Sequence, residues 1–136
     1  MALLVPDVGE VKLLDRALRL SAEENLTLKL FSNDYTPVEG SVAGDFTESA
    51  GGGYAAKTLT NGSWGAAATA GGTTSSAYAE QTFTFTGALT TNPNIYGYYI
   101  VGATSGTLYW AERAAATFTP ANNGDTYKVT PRIELA

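Results

Sequence analysis

Residues 95 to 101, Ile-Tyr-Gly-Tyr-Tyr-Ile-Val, constrain the fold more than any other stretch. Ile95, Gly97, Tyr99 and Val101 alternate with Tyr96, Tyr98 and Ile100, and neither set is charged or strongly polar. Successive side chains of a strand point to opposite faces, so a sheet with one wet face shows one polar set. Both faces of this strand must be covered, by another element of the same chain or by another copy of it. The Gly-Ala-Thr-Ser-Gly that follows is a glycine-bounded turn, and Thr-Leu-Tyr-Trp-Ala-Glu-Arg at 107 to 113 resumes an extended aromatic run, which completes a hairpin.

Tyr96, Tyr98, Tyr99, Tyr109 and Trp110 are the candidate subunit-interface residues of this hairpin. Tyr and Trp bury large areas while the hydroxyl or indole N–H finds a partner. The same rings could stack on sugars. A sugar platform needs neighbouring Asp, Asn or Arg for the hydroxyls, and the hairpin carries almost none, so core or subunit contact is preferred.

Elsewhere the chain reads as one helix followed by short strands. Over residues 7 to 20, Asp7 and Glu10 give a start like a capping box. Val11, Leu13, Leu14, Ala17, Leu18 and Leu20 then fall on one half of the helix and Lys12, Asp15, Arg16 and Arg19 on the other. So wide an apolar half suggests contact with more than a single sheet, and the preferred expectation is that the helix caps the open end of its own sheet. Strands are expected at 26–31, 53–60, 63–69, 78–87, 95–101, 107–113, 116–120 and 125–135, with Pro131 marking an edge or a bulge. Residues 41–53, with their triple glycine, read as loop. Many short strands after one helix predict a mainly β chain, a jelly-roll-like antiparallel β-sandwich with one N-terminal helix. The whole chain, 1–136, is expected to be a single domain, with arm and helix at 1–20 and the sandwich at 26–136.

Composition narrows the chemistry. With no histidine and no cysteine, the usual general base, the commonest metal ligand and every thiol chemistry are missing. A net charge of −5 and eight scattered Lys and Arg argue against nucleic acid as a partner. Residues 49 to 109 hold only Lys57 and Glu80 as charges, and this near-neutral, Thr-rich stretch suits surfaces that meet other protein surfaces. The opening Met-Ala-Leu-Leu-Val-Pro-Asp lacks the layout of a secretory signal, and no run approaches the length of a membrane span, so a soluble chain without a membrane partner is expected.

Two carboxylate pairs, Glu23 with Glu24 and Asp45 with Glu48, are the candidates for acid–base work. A glycosidase needs two carboxyls facing each other across a sugar. These pairs read more simply as solvated, turn and capping residues, so no enzymatic activity, catalytic residue, metal or cofactor is expected. Asn122-Asn123-Gly124-Asp125-Thr126 lacks the ligand spacing of a calcium loop and reads as a turn. The acceptor patterns at Asn25 and Asn61 carry no weight in a chain this rich in Asn, Ser and Thr.

The phrases MALLVPDVGE, LTLKLFSND, DFTE, GYAAKTLT, FTFTG, IYGYYIV, LYWAER and NGDTYKVTPRIELA span nearly the whole chain. In strand pattern and phrase it resembles the small β-rich virion proteins of tailed bacteriophages, including capsid decoration (cement) proteins. The resemblance implies a homo-oligomer, commonly a trimer, on the outer surface of the capsid, assembled in the host cytoplasm. It would bind the assembled lattice of major capsid protein and stabilise it. The apolar arm ahead of Pro6, Leu3, Leu4 and Val5, has no evident place in the sheet and is the candidate capsid contact. The alternative expectation is a tail-fibre or receptor-binding tip that contacts host glycan.

Overall fold

The computed structural model describes residues 3–18, 20 and 22–135. A helix, α1 (Asp7–Ala17), precedes β1 (Leu26–Phe31), a short 3-10 turn (Ala43–Asp45), β2 (Lys57–Leu59), β3 (Ala68–Ala70), β4 (Thr73–Ala77), β5 (Gln81–Thr84), β6 (Ile95–Gly102), β7 (Leu108–Phe118), β8 (Thr126–Val129) and β9 (Arg132–Leu135). All strand pairings are antiparallel. The fold is thus mainly β with one N-terminal helix, as the sequence predicts. The described strands form a four-stranded sheet, β2-β1-β6-β7, a three-stranded sheet, β3-β4-β9, and a two-stranded sheet, β5-β8. This division differs from that of a jelly roll, which sets eight strands in two sheets.

The two-sided strand lies inside the largest sheet, between β1 and β7. On one face Leu26, Leu28 and Leu30 of β1, Tyr98 and Ile100 of β6, and Tyr109 and Trp110 of β7 share a core with Phe83, Phe85, Leu89 and Val129. On the other, Phe31, Tyr99, Val101, Leu108 and Ala111 pack with Phe46, and Val8, Tyr35, Ala43 and Tyr96 close around them. The cover of the second face therefore comes from the same chain, from the segment after β1 and the start of α1. That segment is held by Ser32 N–H donating to the Thr47 carbonyl at 2.8 Å and Ser49 N–H to the Leu30 carbonyl at 2.9 Å. Phe46 lies parallel to Tyr99 with ring centroids 4.8 Å apart and meets Phe31 edge-on.

Irregularities in the β6–β7 ladder place the aromatics. Ile100 pairs with Trp110 and Val101 with Leu108, so Tyr109 is an extra residue, and Tyr109 and Trp110 turn to the same core. A second shift, between Ile95 and Gly97, lets β7 run unbroken to Phe118 where the sequence suggests two strands. Pro131 has the opposite effect. Lacking an N–H, it interrupts the ladder, and the expected single strand becomes β8, paired with β5, and β9, paired with β4. The reading of Pro131 as an edge or bulge within one strand is corrected to a corner between sheets. The strand β4 has no apolar alternation to reveal it. Gly71 and Gly72, with φ of 59° and 84°, make the two-residue turn that pairs it with β3.

Two expectations about the amino-terminal segment are corrected. Helix α1 stops at Ala17, its N-cap is Pro6 without a side-chain cap, and Asp7 lies in the first turn rather than capping it; Arg19 lies outside the described residues. Of the wide apolar half, Leu13 packs against the core, while Val11, Leu14, Leu18 and Leu20 do not. Gly9 is the buried residue of the helix, and a Cβ there would collide with the Tyr109 carbonyl oxygen, so the helix sits backbone-close on β7. Docking through Gly9 turns Leu13 and Arg16, four and seven residues on, toward the body and the opposite side outward. Val11, Leu14, Leu18 and Leu20 are 59, 63, 66 and 73% exposed. The arm, in turn, does have a place in the sheet. Leu4 bridges Ala111 with a pair of 3.0 Å backbone hydrogen bonds, and Leu3 and Val5 pack against the main core.

Candidate functional site

Of the five aromatics expected at a subunit interface, Tyr98, Tyr99, Tyr109 and Trp110 are buried within the chain and Tyr96 is half-buried. Their area is already used by the protein's own cores and is not offered to a partner. Their polar ends are used internally too. The Tyr98 hydroxyl donates to Glu112 Oε2 at 2.9 Å, and the Tyr109 hydroxyl to Glu24 Oε1 at 3.2 Å. Burial pushes the Tyr98 hydroxyl pKa well up, and the Glu112 charge and hydrogen bond add to the rise. Burial likewise raises Tyr54 and Tyr99. The Trp110 indole N–H is buried without a hydrogen-bond partner among the described residues.

Leu3, Leu4 and Val5, the expected capsid contact, are half-buried along the β7 edge. The free arm of the sequence reading is therefore corrected to a short sheet extension, because Leu4 closes backbone hydrogen bonds that β7 would otherwise leave open.

The carboxylate pairs are spread over separate structural tasks. Glu24 accepts the N–H groups of Thr104 and Ser105, each at 2.8 Å, the Ser105 hydroxyl at 2.7 Å and the Tyr109 hydroxyl. Partial burial acts to raise its pKa, but these hydrogen bonds outweigh it and hold the carboxyl below its ordinary range. Glu24 thus ties the β6–β7 turn to the start of β1, while Glu23 is exposed. Asp45 Oδ2 accepts the Val42 N–H at 2.8 Å as the cap of the 3-10 turn. Glu48 receives Lys29 Nζ at 2.8 Å and the Tyr54 hydroxyl at 3.1 Å. Asp125 accepts the N–H groups of Ala121 and Asn122, which lower its pKa and fix the turn that the sequence reads there. Among the described residues no group of three or more acidic side chains is placed to hold a metal ion.

Two surface features depend on the tertiary structure. The first is the outward row of α1. Val11, Leu14 and Leu18 follow the three-four spacing of a helix seam, and Asp7, Val8, Val11, Lys12, Asp15 and Thr107 line a shallow depression of about 400 Å³ beside it. The second is a groove of about 370 Å³ lined by Tyr98, Glu112, Ala114, Tyr127, Lys128, Val129, Thr130 and Arg132. It opens where the chain turns at Pro131 from one small sheet to the other, beside the edge of β7. Its residues come from positions some thirty apart in the chain, so no local spacing announces it.

No family model matches the chain, and no curated protein or solved structure matches it. Among the described residues no helix is long and apolar enough to cross a membrane.

Proposed function

We propose that the chain is a non-enzymatic structural subunit, a capsid decoration protein of a tailed bacteriophage that self-associates and binds the assembled major capsid lattice. The observation that carries this reading is the outward row of α1. Large aliphatics more than half exposed along one helix face form the kind of surface that marks a contact with another macromolecule. The carboxylates that an enzyme would use are instead held as turn anchors, caps and ion pairs. The docking role expected of Leu3, Leu4 and Val5 passes to Val11, Leu14 and Leu18, which follow directly on the arm and remain uncovered. A site spanning neighbouring capsid subunits exists only after assembly, so binding there stabilises the shell by mass action.

The test is the triple substitution Val11→Ser, Leu14→Ser, Leu18→Ser, compared with the parent by light scattering and by occupancy on stripped particles. All three sites are exposed, so each substitution should change the stability by no more than about 0.5 kcal/mol. The parent should exceed the 14.2 kDa of one chain and decorate heads. Loss of the larger mass in the variant assigns the row to self-association, and loss of occupancy alone assigns it to the lattice. A parent that stays monomeric and never binds heads, or that is found only at the tail, removes the reading.

A further inference from the structure

We propose that the groove between the β7 edge and the β8–β9 corner is a binding site for a neutral saccharide. This inference does not depend on the assembly reading, which rests on α1. Its volume of about 370 Å³ lies within the range of small-molecule sites, about 300 to 1,000 Å³. Its floor is preorganised: Tyr98 is buried, and its hydroxyl fixes Glu112 through Oε2 at 2.9 Å. One hydrogen bond leaves a carboxylate with acceptor sites to spare, so Glu112 can still take ligand hydroxyls. Donors line the same groove. Arg132 uses Nε for Glu134 at 3.2 Å, and its guanidinium carries further N–H groups; Thr130 contributes an exposed hydroxyl. Tyr127, half-buried and packed on Phe118, supplies an aromatic wall.

The balance of charge selects the ligand. Lys128 is paired with Glu80 at 3.2 Å and Arg132 with Glu134, so the cations lining the groove are already matched and, among the described residues, Glu112 is left as its unmatched charge. An anion would meet that carboxylate. A cation would meet two basic side chains. A neutral polyol, whose hydroxyls both donate and accept, matches a wall that offers acceptors and donors together, and a pyranose also has an apolar face for Tyr127.

The experiment uses the full chain, labelled with nitrogen-15, titrated with glucose, galactose, N-acetylglucosamine and lactose at millimolar concentrations, with N-acetylneuraminic acid as the charged counter-probe. At least one neutral sugar should give saturable amide shifts confined to residues around Tyr98, Glu112 and 127–132. In a Trp64→Phe background Trp110, which neighbours Tyr98, should report the same event by fluorescence. Two variants test the assignment by different means. Thr130→Trp fills the groove from an exposed position without touching the core, and Glu112→Gln keeps an acceptor for Tyr98 but removes the charge. Each should weaken binding about tenfold or more while the far-ultraviolet dichroism is unchanged. The proposal fails if no neutral sugar gives a saturable response at the groove, if Thr130→Trp binds as the parent does, or if only the anionic probe binds.

Discussion

Glu24 shows how single side chains hold this molecule together. Its two oxygens accept three donors from a turn some eighty residues away and a fourth from Tyr109 of β7, and those bonds favour the ionised form. The folded pKa lies below the ordinary glutamate value. A carboxyl depressed in this way contributes stability that is present above the unfolded-state pKa and lost as pH falls through the folded one. Glu24→Gln should therefore be destabilising at about pH 7, with the gap to the parent shrinking at about pH 3. Urea denaturation at the two pH values measures both differences, and a gap that stays constant or widens in acid would contradict the charge-based account. Asp125 works on a smaller turn by the same means, accepting two backbone N–H groups in its own loop.

At the level of elements, the segment after β1 is the piece that lets β6 be apolar on both faces. It carries no helix or strand long enough to attract notice, yet Phe46 within it meets Phe31, Tyr35 and Tyr99. Truncating a buried Phe to Ala typically costs about 3–5 kcal/mol. Phe46→Ala should show a loss of that order in chemical denaturation and increased binding of a hydrophobic dye, because the second face of β6 loses its main cover. Exposed Val42→Ala, four residues earlier, should stay within about 0.5 kcal/mol of the parent. Equal losses at the two positions would mean that the segment does not act as a lid on the sheet. Helix α1 contrasts with this segment: it is regular and amphipathic, yet it contributes Gly9, Leu13 and Arg16 to the body and turns its leucine row outward.

For the molecule as a whole, burial is concentrated in the four-stranded sheet and fades toward β3. Residues of β6 are buried at seven of eight positions, whereas β3 is exposed at all three and pairs on one side only. Local opening free energies run from near zero in exposed edges to the global value in the core. Amide hydrogen exchange should therefore be slowest in β1 and β6 and faster in β3 by more than about two orders of magnitude. Uniform protection across both regions would show that the small sheets open only together with the large one.

What the sequence determined by itself were the local features whose physics acts over a few residues. Alternation fixed β1 and β6, Asn-Gly and the glycine-bounded segment after residue 101 marked turns, and the two-sided apolarity of residues 95 to 101 required two covers. The tertiary structure decided where each of those features points. A helical wheel gives an apolar half but not its direction; here a single glycine sets it, because only at Gly9 can the helix backbone approach Tyr109. Composition shows carboxylates but not what they bond, and Glu24 and Tyr109 meet across eighty-five positions of chain. The groove of Tyr98, Glu112, Tyr127 and Arg132 exists only because four strands from three sheets converge beside a proline corner. Such juxtapositions depend on long-range packing, which periodicity along the chain does not encode.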